Sequence, residues 1–349
     1  MRGSLLCITF LLIANKLISQ EFSAKDFLLA SSLSSKKFES FLNKKKFIPS
    51  GSRIKNDTVI NIYSFKEKKR KNKKDTLVIK RSIEAFKANN YFSFAYLTSL
   101  KNEYTEALRT LKETGFFCGN ENDSTAMLFQ RRNLSVEANL IKETSGDTIY
   151  SLLFCQHELP LPEKIEFAED LLAFYSHEYL VSVFGDKNVQ KDLYYFSEKE
   201  FAKCTVLFPK TSRQAVFIWE DQVNLCKPAY LIVGGNMNTK STANYDGLIG
   251  ENVWTSKEGV YPGMSIHSLV RLNGESFKFY GKNSNLPYTV LPDNAGTVNF
   301  KKNKVMLGCL NPSGSRLLNN TTVNAEEILS DNLGMYVLMI MVFPSQKNN

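Results

Sequence analysis

The chain has 349 residues, of which 43% are hydrophobic and 12% aromatic, and it carries a formal net charge of +9 at pH 7. This length exceeds one ordinary domain and allows two or three, each with its own core. The apolar content excludes a largely disordered chain. The positive charge is concentrated, because residues 31–81 hold sixteen Lys and Arg residues against four Asp and Glu residues.

A secretory signal peptide is predicted over residues 1–19. One basic residue, Arg2, precedes an apolar run from Leu5 to Ala14, and the small Ser19 follows. The run is shorter than the roughly 20 residues that a membrane-spanning helix needs. We therefore expect cleavage near Ser19 and a periplasmic or secreted mature protein without a transmembrane segment.

Two small α+β units are predicted in tandem, over residues 20–85 and 86–159. In each, an amphipathic helix beginning near Lys36 or Glu103 precedes a Phe-containing strand, a polar turn with an Asn-Asp pair, and another strand. The second unit has the order β-α-β-β-β. An antiparallel sheet with one helix packed on a face is the arrangement this order favours.

A larger α+β domain with a twisted antiparallel sheet is predicted over residues 160–349. The Pro-containing segment Leu159–Lys164 marks its boundary. Apolar residues at helical spacing predict one long helix over Glu163–Phe184. Short aromatic and β-branched runs follow as strands, the last of them over Tyr336–Phe343.

The stretch GVYPGMSIHSLVRLNGESFKFYG, residues 259–281, predicts a short helix between strands. Ser265 is a natural N-cap, and Asn273-Gly274 ends the helix by allowing a left-handed residue. Ser265 and His267 are two residues apart, so their side chains point about 200° apart and cannot form the hydrogen-bonded pair of a serine hydrolase. A second short helix is predicted over Ala325–Ser330.

Other candidate chemistry in the sequence has weak support. GGNMNTKST, residues 234–242, has Thr239 where a phosphate-binding loop needs Gly, so we interpret it as a polar hairpin loop. The adjacent pairs Glu169-Asp170 and Glu220-Asp221 are candidates for a glycosidase, but adjacent carboxylates diverge, and such enzymes hold theirs about 5 to 9 Å apart across a cleft. The sequence contains no CxxC motif and no Cys/His clip, so no metal and no cofactor is expected.

Five cysteines follow the predicted signal peptide, and an odd number in an exported protein implies at least one free thiol or an intermolecular bond. Cys118 and Cys155 fall in strands predicted to be neighbours. Cys204 and Cys309 fall in strands of the C-terminal domain. Either pair is a candidate disulfide, and buried unpaired thiols are the alternative.

The densest run of charge is FKEKKRKNKKDT, residues 65–76, which lies between two strand-like segments and is predicted to be the tip of a β-hairpin. Such a loop can be merely solvated and protect a sheet edge from pairing. It can also bind anionic lipid headgroups or an acidic polymer. Nucleic acid is not an expected partner, because aromatic residues do not interleave the charges. The candidate binding residues are Lys68, Lys69, Arg70, Lys71, Lys73 and Lys74.

The motifs Gly263-Met264-Ser265 and Leu272-Asn273-Gly274, together with VLFPKTSRQAVFIWED and Trp254, carry a resemblance. Over about the last 170 residues the chain resembles uncharacterised exported proteins of Gram-negative bacteria, for which no activity is established. The Gly-Met-Ser helix opening is also similar to that of outer-membrane assembly lipoproteins and β-lactamase-inhibitor-like modules. This second likeness implies binding to another protein.

Three classes of function remain open from the sequence. The leading hypothesis is a non-enzymatic binding protein of the cell envelope, whose partner is an envelope protein or an anionic envelope component. The alternative is a cell-wall or glycan hydrolase that uses a carboxylate pair. The third is a structural module of a larger envelope complex.

Overall fold

The computed structural model describes residues 22–33, 35–65, 80–88, 91–119, 126–131, 134–144, 146–156, 159–235, 252–310 and 316–344. The chain divides into two compact units, Met1–His157 and Glu158–Asn349, called here the N-unit and the C-unit. Both contain helices and antiparallel sheets, which confirms the α+β class. The division also lies within two residues of the boundary predicted at residue 160.

In its described residues the N-unit forms one antiparallel sheet with helices on one face. The helices are α1 (Ala24–Ala30), α2 (Ser35–Lys44) and α3 (Lys101–Glu113). The strands are β1 (Phe47–Lys55), β2 (Thr58–Phe65), β3 (Arg81–Ala88), β4 (Tyr91–Thr98), β5 (Phe117–Cys118), β6 (Ala126–Arg131), β7 (Leu134–Lys142) and β8 (Thr148–Gln156). Their order across the sheet is β1-β2-β3-β4-β8-β7-β6-β5.

Aromatic residues at alternate positions build the core of the N-unit. Phe94 and Phe154 are cross-strand neighbours on β4 and β8, and their rings stack with centroids 4.9 Å apart. Phe27 from α1 packs on Phe154 at 5.2 Å, and Phe38 from α2 packs on Phe94 at the same separation. The alternation in YFSFAYLT thus places one set of β4 side chains under the helices.

The two tandem units predicted over residues 20–85 and 86–159 are instead one continuous sheet. Strand β3 spans the predicted boundary and pairs with β2 on one side and β4 on the other. Ile83 and Ala85 on β3 are buried in the same cluster as Phe94. Joining the strands satisfies edges that two separate sheets would each have left open. The antiparallel β2–β3 pair predicted around the basic run is confirmed.

The C-unit contains a larger and a smaller antiparallel sheet within its described residues. Its helices are α4 (His177–Phe184), α5 (Ile266–Asn273) and α6 (Ala325–Ser330). The strands are β9 (Val189–Tyr195), β10 (Phe201–Leu207), β11 (Ala215–Asp221), β12 (Cys226–Gly234), β13 (Lys278–Tyr280), β14 (Asn303–Cys309), β15 (Thr322–Asn324) and β16 (Met335–Val342). The larger sheet has the order β14-β16-β12-β11-β10-β9, and β13 pairs with β15.

Both faces of the larger C-unit sheet carry buried apolar clusters. On β11, Phe217 and Trp219 belong to the cluster that includes the helices, whereas Val216 and Ile218 belong to a second cluster on the other face. A strand buried on both faces has a continuous apolar sequence rather than an alternating one. This explains AVFIW in β11, and the buried final strand predicted over Tyr336–Phe343 is confirmed as β16.

The long helix predicted over Glu163–Phe184 is wrong. The segment forms 3-10 turns over Pro162–Lys164 and Ala168–Ala173, and only then helix α4. Between them the backbone is extended, and Ser176 begins α4 by accepting a hydrogen bond from the backbone N–H of Tyr179. Local caps and 3-10 turns therefore replace the single predicted helix. The apolar residues that predicted it are still buried.

Candidate functional site

The six basic residues proposed for the hairpin site, Lys68, Lys69, Arg70, Lys71, Lys73 and Lys74, lie outside the described residues. The strands on either side of them are described, and their register identifies the end of the sheet from which the run departs. Phe65, the last residue of β2, pairs with Phe47, the first residue of β1. Arg81, the first residue of β3, pairs with Thr98, the last residue of β4.

This register gathers further basic residues at the same end of the N-unit sheet. Three of them directly precede β1, two begin β3, one begins α3, and one ends β7. We call this group the cationic end; it comprises Lys44, Lys45, Lys46, Lys80, Arg81, Lys101 and Lys142. The sequence shows the Lys44–Lys46 run, but only the pairing of β1 with β2 shows that it lies where the basic hairpin starts.

Three of these seven cations are neutralised. Lys45 pairs with Asp26 and Lys80 with Glu143, each at 2.8 Å, and Arg81 pairs with Glu103. The other four are exposed and form no ion pair with any described residue; they are Lys44, Lys46, Lys101 and Lys142. The cationic end therefore presents unpaired positive charge to solvent.

A buried charged node lies beneath this end. The Arg81 guanidinium donates to both carboxylate oxygens of Glu103, and the Tyr96 and Thr98 hydroxyls each donate to Glu103 Oε2 at 2.8 Å. The side chains of Arg81 and Glu103 are 9% and 11% exposed. Burial, reinforced by the Glu103 carboxylate, raises the pKa of Tyr96 far above its ordinary value. The node joins β3, β4 and α3, and no local sequence signal indicated it.

The structure gives structural roles to three of the four predicted carboxylates, and the fourth, Glu220, is exposed on β11. Glu169 accepts hydrogen bonds from the backbone N–H of Lys257 at 3.1 and 3.0 Å, and Asp170 pairs with the Lys257 ammonium at 2.8 Å. Asp221 accepts from the backbone N–H groups that follow it, at 3.0 Å. Burial alone would raise the pKa of Asp170, but Lys257 and two backbone N–H groups together lower it. These three carboxylates hold turns together.

One association of carboxylates was not predicted. The buried Asn303 amide donates to Glu258 at 3.0 Å and approaches Glu169 at 3.5 Å, so it connects two residues distant in sequence. Glu258 also accepts from the backbone N–H of Asn299 at 2.9 Å. The arrangement ties three loops of the C-unit together. Across the described residues, no group of three or more His, Cys, Asp and Glu side chains is placed to hold a metal ion.

The two proposed disulfides are excluded by strand order. Cys118 on β5 and Cys155 on β8 are three strand spacings apart, about 14 Å, and Cys204 on β10 and Cys309 on β14 are four apart, about 19 Å. A disulfide needs Cα atoms within about 7 Å. All five cysteines of the described residues, these four and Cys226, are free thiols. Burial, together with the nearby Glu137, raises the pKa of Cys155, which lowers the fraction of reactive thiolate at neutral pH.

The predicted cap of α5 is confirmed. The Ser265 hydroxyl accepts from the backbone N–H of Ser268 at 3.1 Å, and Gly274 ends the helix in the left-handed conformation with φ of +75°. His267 is exposed on the helix surface. Of the GGNMNTKST stretch only Gly234 and Gly235 are described, at the end of β12. The other candidate histidines are His157, outside the described residues, and the buried His177, 3.1 Å from the Thr205 hydroxyl.

A pocket that the sequence did not predict lies in the C-unit. It has a volume of about 420 Å³ and is bounded by the chain after β13, the start of β14 and the end of β16. Its lining combines the aromatic residues Tyr280, Phe300 and Phe343 with Thr289 and Lys304. These residues come from separate segments, so only the folded chain brings them together.

No protein-family model, no curated protein and no solved structure matches the chain. Among the helices of the described residues, none has the length and apolar character needed to cross a membrane. The function is therefore inferred from the charge, burial and geometry given above.

Proposed function

We propose that the chain is a non-enzymatic binding protein of the cell envelope, and that its N-unit attaches to an anionic envelope component. The observation that carries this proposal is the placement of charge. Residues 20–157, which follow the predicted signal peptide, hold 24 of the 44 Lys and Arg residues but only 15 of the 35 Asp and Glu residues, a net charge of +9. Residues 158–349 have a net charge of −2.

Part of this positive charge is exposed at the cationic end. Lys44 ends α2 and Lys46 directly precedes β1, and both are exposed without an ion pair among the described residues. Each Lys or Arg close to an anionic surface contributes about 1 kcal/mol at moderate salt. Several such residues at one end of a sheet act together, because a single surface can contact all of them.

The basic run belongs to the same proposed surface. It joins Phe65 to Lys80, two described residues that both lie at the cationic end. In the proposal, Lys44 and Lys46 supplement the six hairpin cations. The predicted signal peptide supports an envelope partner, since an exported chain meets anionic headgroups and acidic polymers there.

The hydrolase alternative has less support. Glu169, Asp170 and Asp221 each accept hydrogen bonds from backbone N–H groups, so they act in holding turns. A catalytic carboxylate pair faces a cleft that a glycan can enter, and none of these residues lines the pocket of the C-unit.

The test is co-sedimentation of the chain from Gln20 onward with phosphatidylglycerol-containing vesicles and, in a second arm, with a soluble acidic polysaccharide. We expect Lys44→Ser/Lys46→Ser to weaken binding about thirtyfold at low salt, from about 2 kcal/mol of lost attraction. Replacing Lys68, Lys69, Lys71 and Lys73 by Ser is expected to weaken it further. The two arms distinguish a lipid headgroup from a polymer.

A matched control removes the same charge from the C-unit. Lys199 and Lys203 are exposed near the β9–β10 turn, and Lys199→Ser/Lys203→Ser is expected to leave binding unchanged. Equal weakening by the control would show that only total charge matters. Binding that is insensitive to salt would contradict an electrostatic surface altogether.

A further inference from the structure

The pocket of the C-unit has the size and lining of a small-molecule site. Its volume of about 420 Å³ lies in the range of about 300 to 1,000 Å³ typical of ligand pockets. Val290 and Phe300 line it and are each only 1% exposed, whereas Leu286 at its border is 43% exposed. The lining therefore runs from the apolar core to the surface.

Thr289, one of the lining residues, has a buried hydroxyl that is unsatisfied. The residue is 1% exposed, and its Oγ1 has no hydrogen-bond partner among the described residues. Its backbone is fixed on both sides, because the carbonyl accepts from Tyr280 N–H at 2.9 Å and the N–H donates to Leu286 at 3.2 Å. Buried hydroxyls nearly always have a partner, so a ligand that supplies one would satisfy this group.

The residue before Thr289 is strained. Tyr288 has φ of +59°, a left-handed conformation that bulky residues rarely adopt. It is held there by hydrogen bonds of 2.9 Å, from its N–H to the Tyr280 carbonyl and from the Leu307 N–H to its own carbonyl. Strained residues of this kind cluster at ligand sites, where the surrounding structure enforces them. Here these two hydrogen bonds fix the segment that carries Thr289.

The charge at the pocket favours an anion. Lys301 and Asp293 both line the pocket and neutralise each other at 2.7 Å. Lys304, on β14, is half-buried and forms no ion pair with any described residue. One unpaired cation thus remains beside an apolar, aromatic surface.

We infer that this pocket binds a small amphipathic monoanion, an aromatic or short acyl carboxylate. The apolar body packs against Val290, Phe300 and Phe343, the carboxylate pairs with Lys304, and the Thr289 hydroxyl donates a hydrogen bond to the ligand. The site is built entirely from C-unit residues. It stands or fails independently of anion binding by the N-unit.

The first experiment compares three probes of similar shape by NMR titration of the chain from Gln20 onward. The probes are 3-phenylpropanoate, the neutral 3-phenylpropanol and the cationic 3-phenylpropylamine. We expect the carboxylate to shift the methyl signals of Leu286, Thr289 and Val290, and to bind about tenfold more tightly than the alcohol, because a charge-assisted hydrogen bond is lost in the alcohol. Equal affinity for carboxylate and alcohol would overturn the anionic class, and no binding by any probe would overturn the site.

Three single-residue variants test whether the probes bind in this pocket. Leu286→Trp fills the border of the pocket at a partly exposed position, where folding tolerates it, and is expected to abolish binding. Lys304→Gln is expected to weaken the carboxylate about tenfold and leave the alcohol unaffected. Lys282→Gln removes an exposed lysine outside the lining and serves as its control. Carboxylate binding that survives both Leu286→Trp and Lys304→Gln would place it elsewhere and refute the proposal.

The isosteric Thr289→Val variant separates a ligand contact from a structural role. Removing an unsatisfied buried hydroxyl is expected to raise the melting temperature of the free protein. The same change should weaken carboxylate binding severalfold, since the ligand loses a donor. A variant with unchanged affinity would remove Thr289 from the site.

Discussion

The N-unit and the C-unit bury polar groups in different ways. In the N-unit, the buried node is charged, with the Arg81–Glu103 pair at its centre. In the C-unit, the corresponding buried node is centred on the Thr205 hydroxyl, which accepts from Trp219 Nε1 at 3.0 Å and lies 3.1 Å from His177 Nδ1. Both units have apolar cores, and the N-unit in addition packs a nearly buried ion pair against its core.

The sheets show the same contrast. The larger C-unit sheet has buried apolar clusters on both faces. The N-unit sheet has its aromatic core on the helix-bearing face, and on the other face small residues such as Ser135, Cys155 and Ser93 are neighbours on adjacent strands. Apolar packing on two faces provides a rigid frame for a pocket. A sheet with one apolar core and a charged end is suited to contact through that end.

The largest expected effect comes from breaking the charged node. Arg81→Met leaves the Glu103 carboxylate buried without its cation, and loss of one partner of a buried pair costs about 3 to 5 kcal/mol. Hydrogen exchange should show the loss of protection in β3 and β4 and not in β11. The double variant Arg81→Met/Glu103→Leu should recover part of the stability, because no uncompensated charge stays buried. A cost below about 1 kcal/mol would mean that the pair behaves like a surface ion pair, and the contrast between the units would fail.

Disrupting the Thr205 node of the C-unit should cost less stability than breaking the Arg81–Glu103 pair. Thr205→Val removes the acceptor of Trp219 Nε1 and one contact of His177, and a buried donor left unsatisfied costs about 1 to 3 kcal/mol. Urea denaturation monitored by tryptophan fluorescence measures this change in the free energy of unfolding. Thr205→Ser keeps the hydroxyl and reports the lost methyl group alone. If Thr205→Val costs nothing while Thr205→Ser destabilises, the hydroxyl contributes nothing and packing explains the node.

Features set by local signals could be predicted from the sequence. Strand β4, helix α3 and helix α6 have the predicted bounds, because each combines a clear period with a turn or cap at its ends. Features set by pairing between distant segments could not. The merger through β3 and the Arg81–Glu103 node depend on which strands become neighbours. The pocket likewise depends on residues from three separate elements, and the long helix failed because a cap at Ser176 competed with a helical pattern.

A fall in pH should distinguish two carboxylates of the C-unit. Asp170 accepts hydrogen bonds from backbone N–H groups and pairs with Lys257, whereas Asp293 is exposed. The pKa of Asp170 is lowered in the folded C-unit, so its contribution to stability is present above the unfolded value and is lost as the pH falls below about 4. Asp170→Asn removes the charge that pairs with Lys257, so it should cost up to about 1 kcal/mol at neutral pH and should flatten the acid limb of the stability curve. Asp293, 79% exposed in its ion pair, is the control, and Asp293→Asn should change little. An unchanged acid limb in Asp170→Asn would show that other carboxylates dominate the pH dependence.

The smallest expected effect is at Ser265, which the sequence predicts to be the N-cap of α5. Its hydroxyl caps α5 by accepting from Ser268 N–H at 3.1 Å. Ser265→Ala should therefore cost about 1 kcal/mol, whereas Ser265→Gly should cost only a few tenths. Neither variant should change anion binding by the N-unit or carboxylate binding by the C-unit, because Ser265 belongs to neither the cationic end nor the pocket lining. Thermal denaturation measures the loss of stability, co-sedimentation measures anion binding by the N-unit, and NMR titration measures carboxylate binding by the C-unit. A fully folded Ser265→Ala protein that loses either binding activity would show that this helix N-terminus is part of a functional surface, and the division of roles between the two units would have to be redrawn around it.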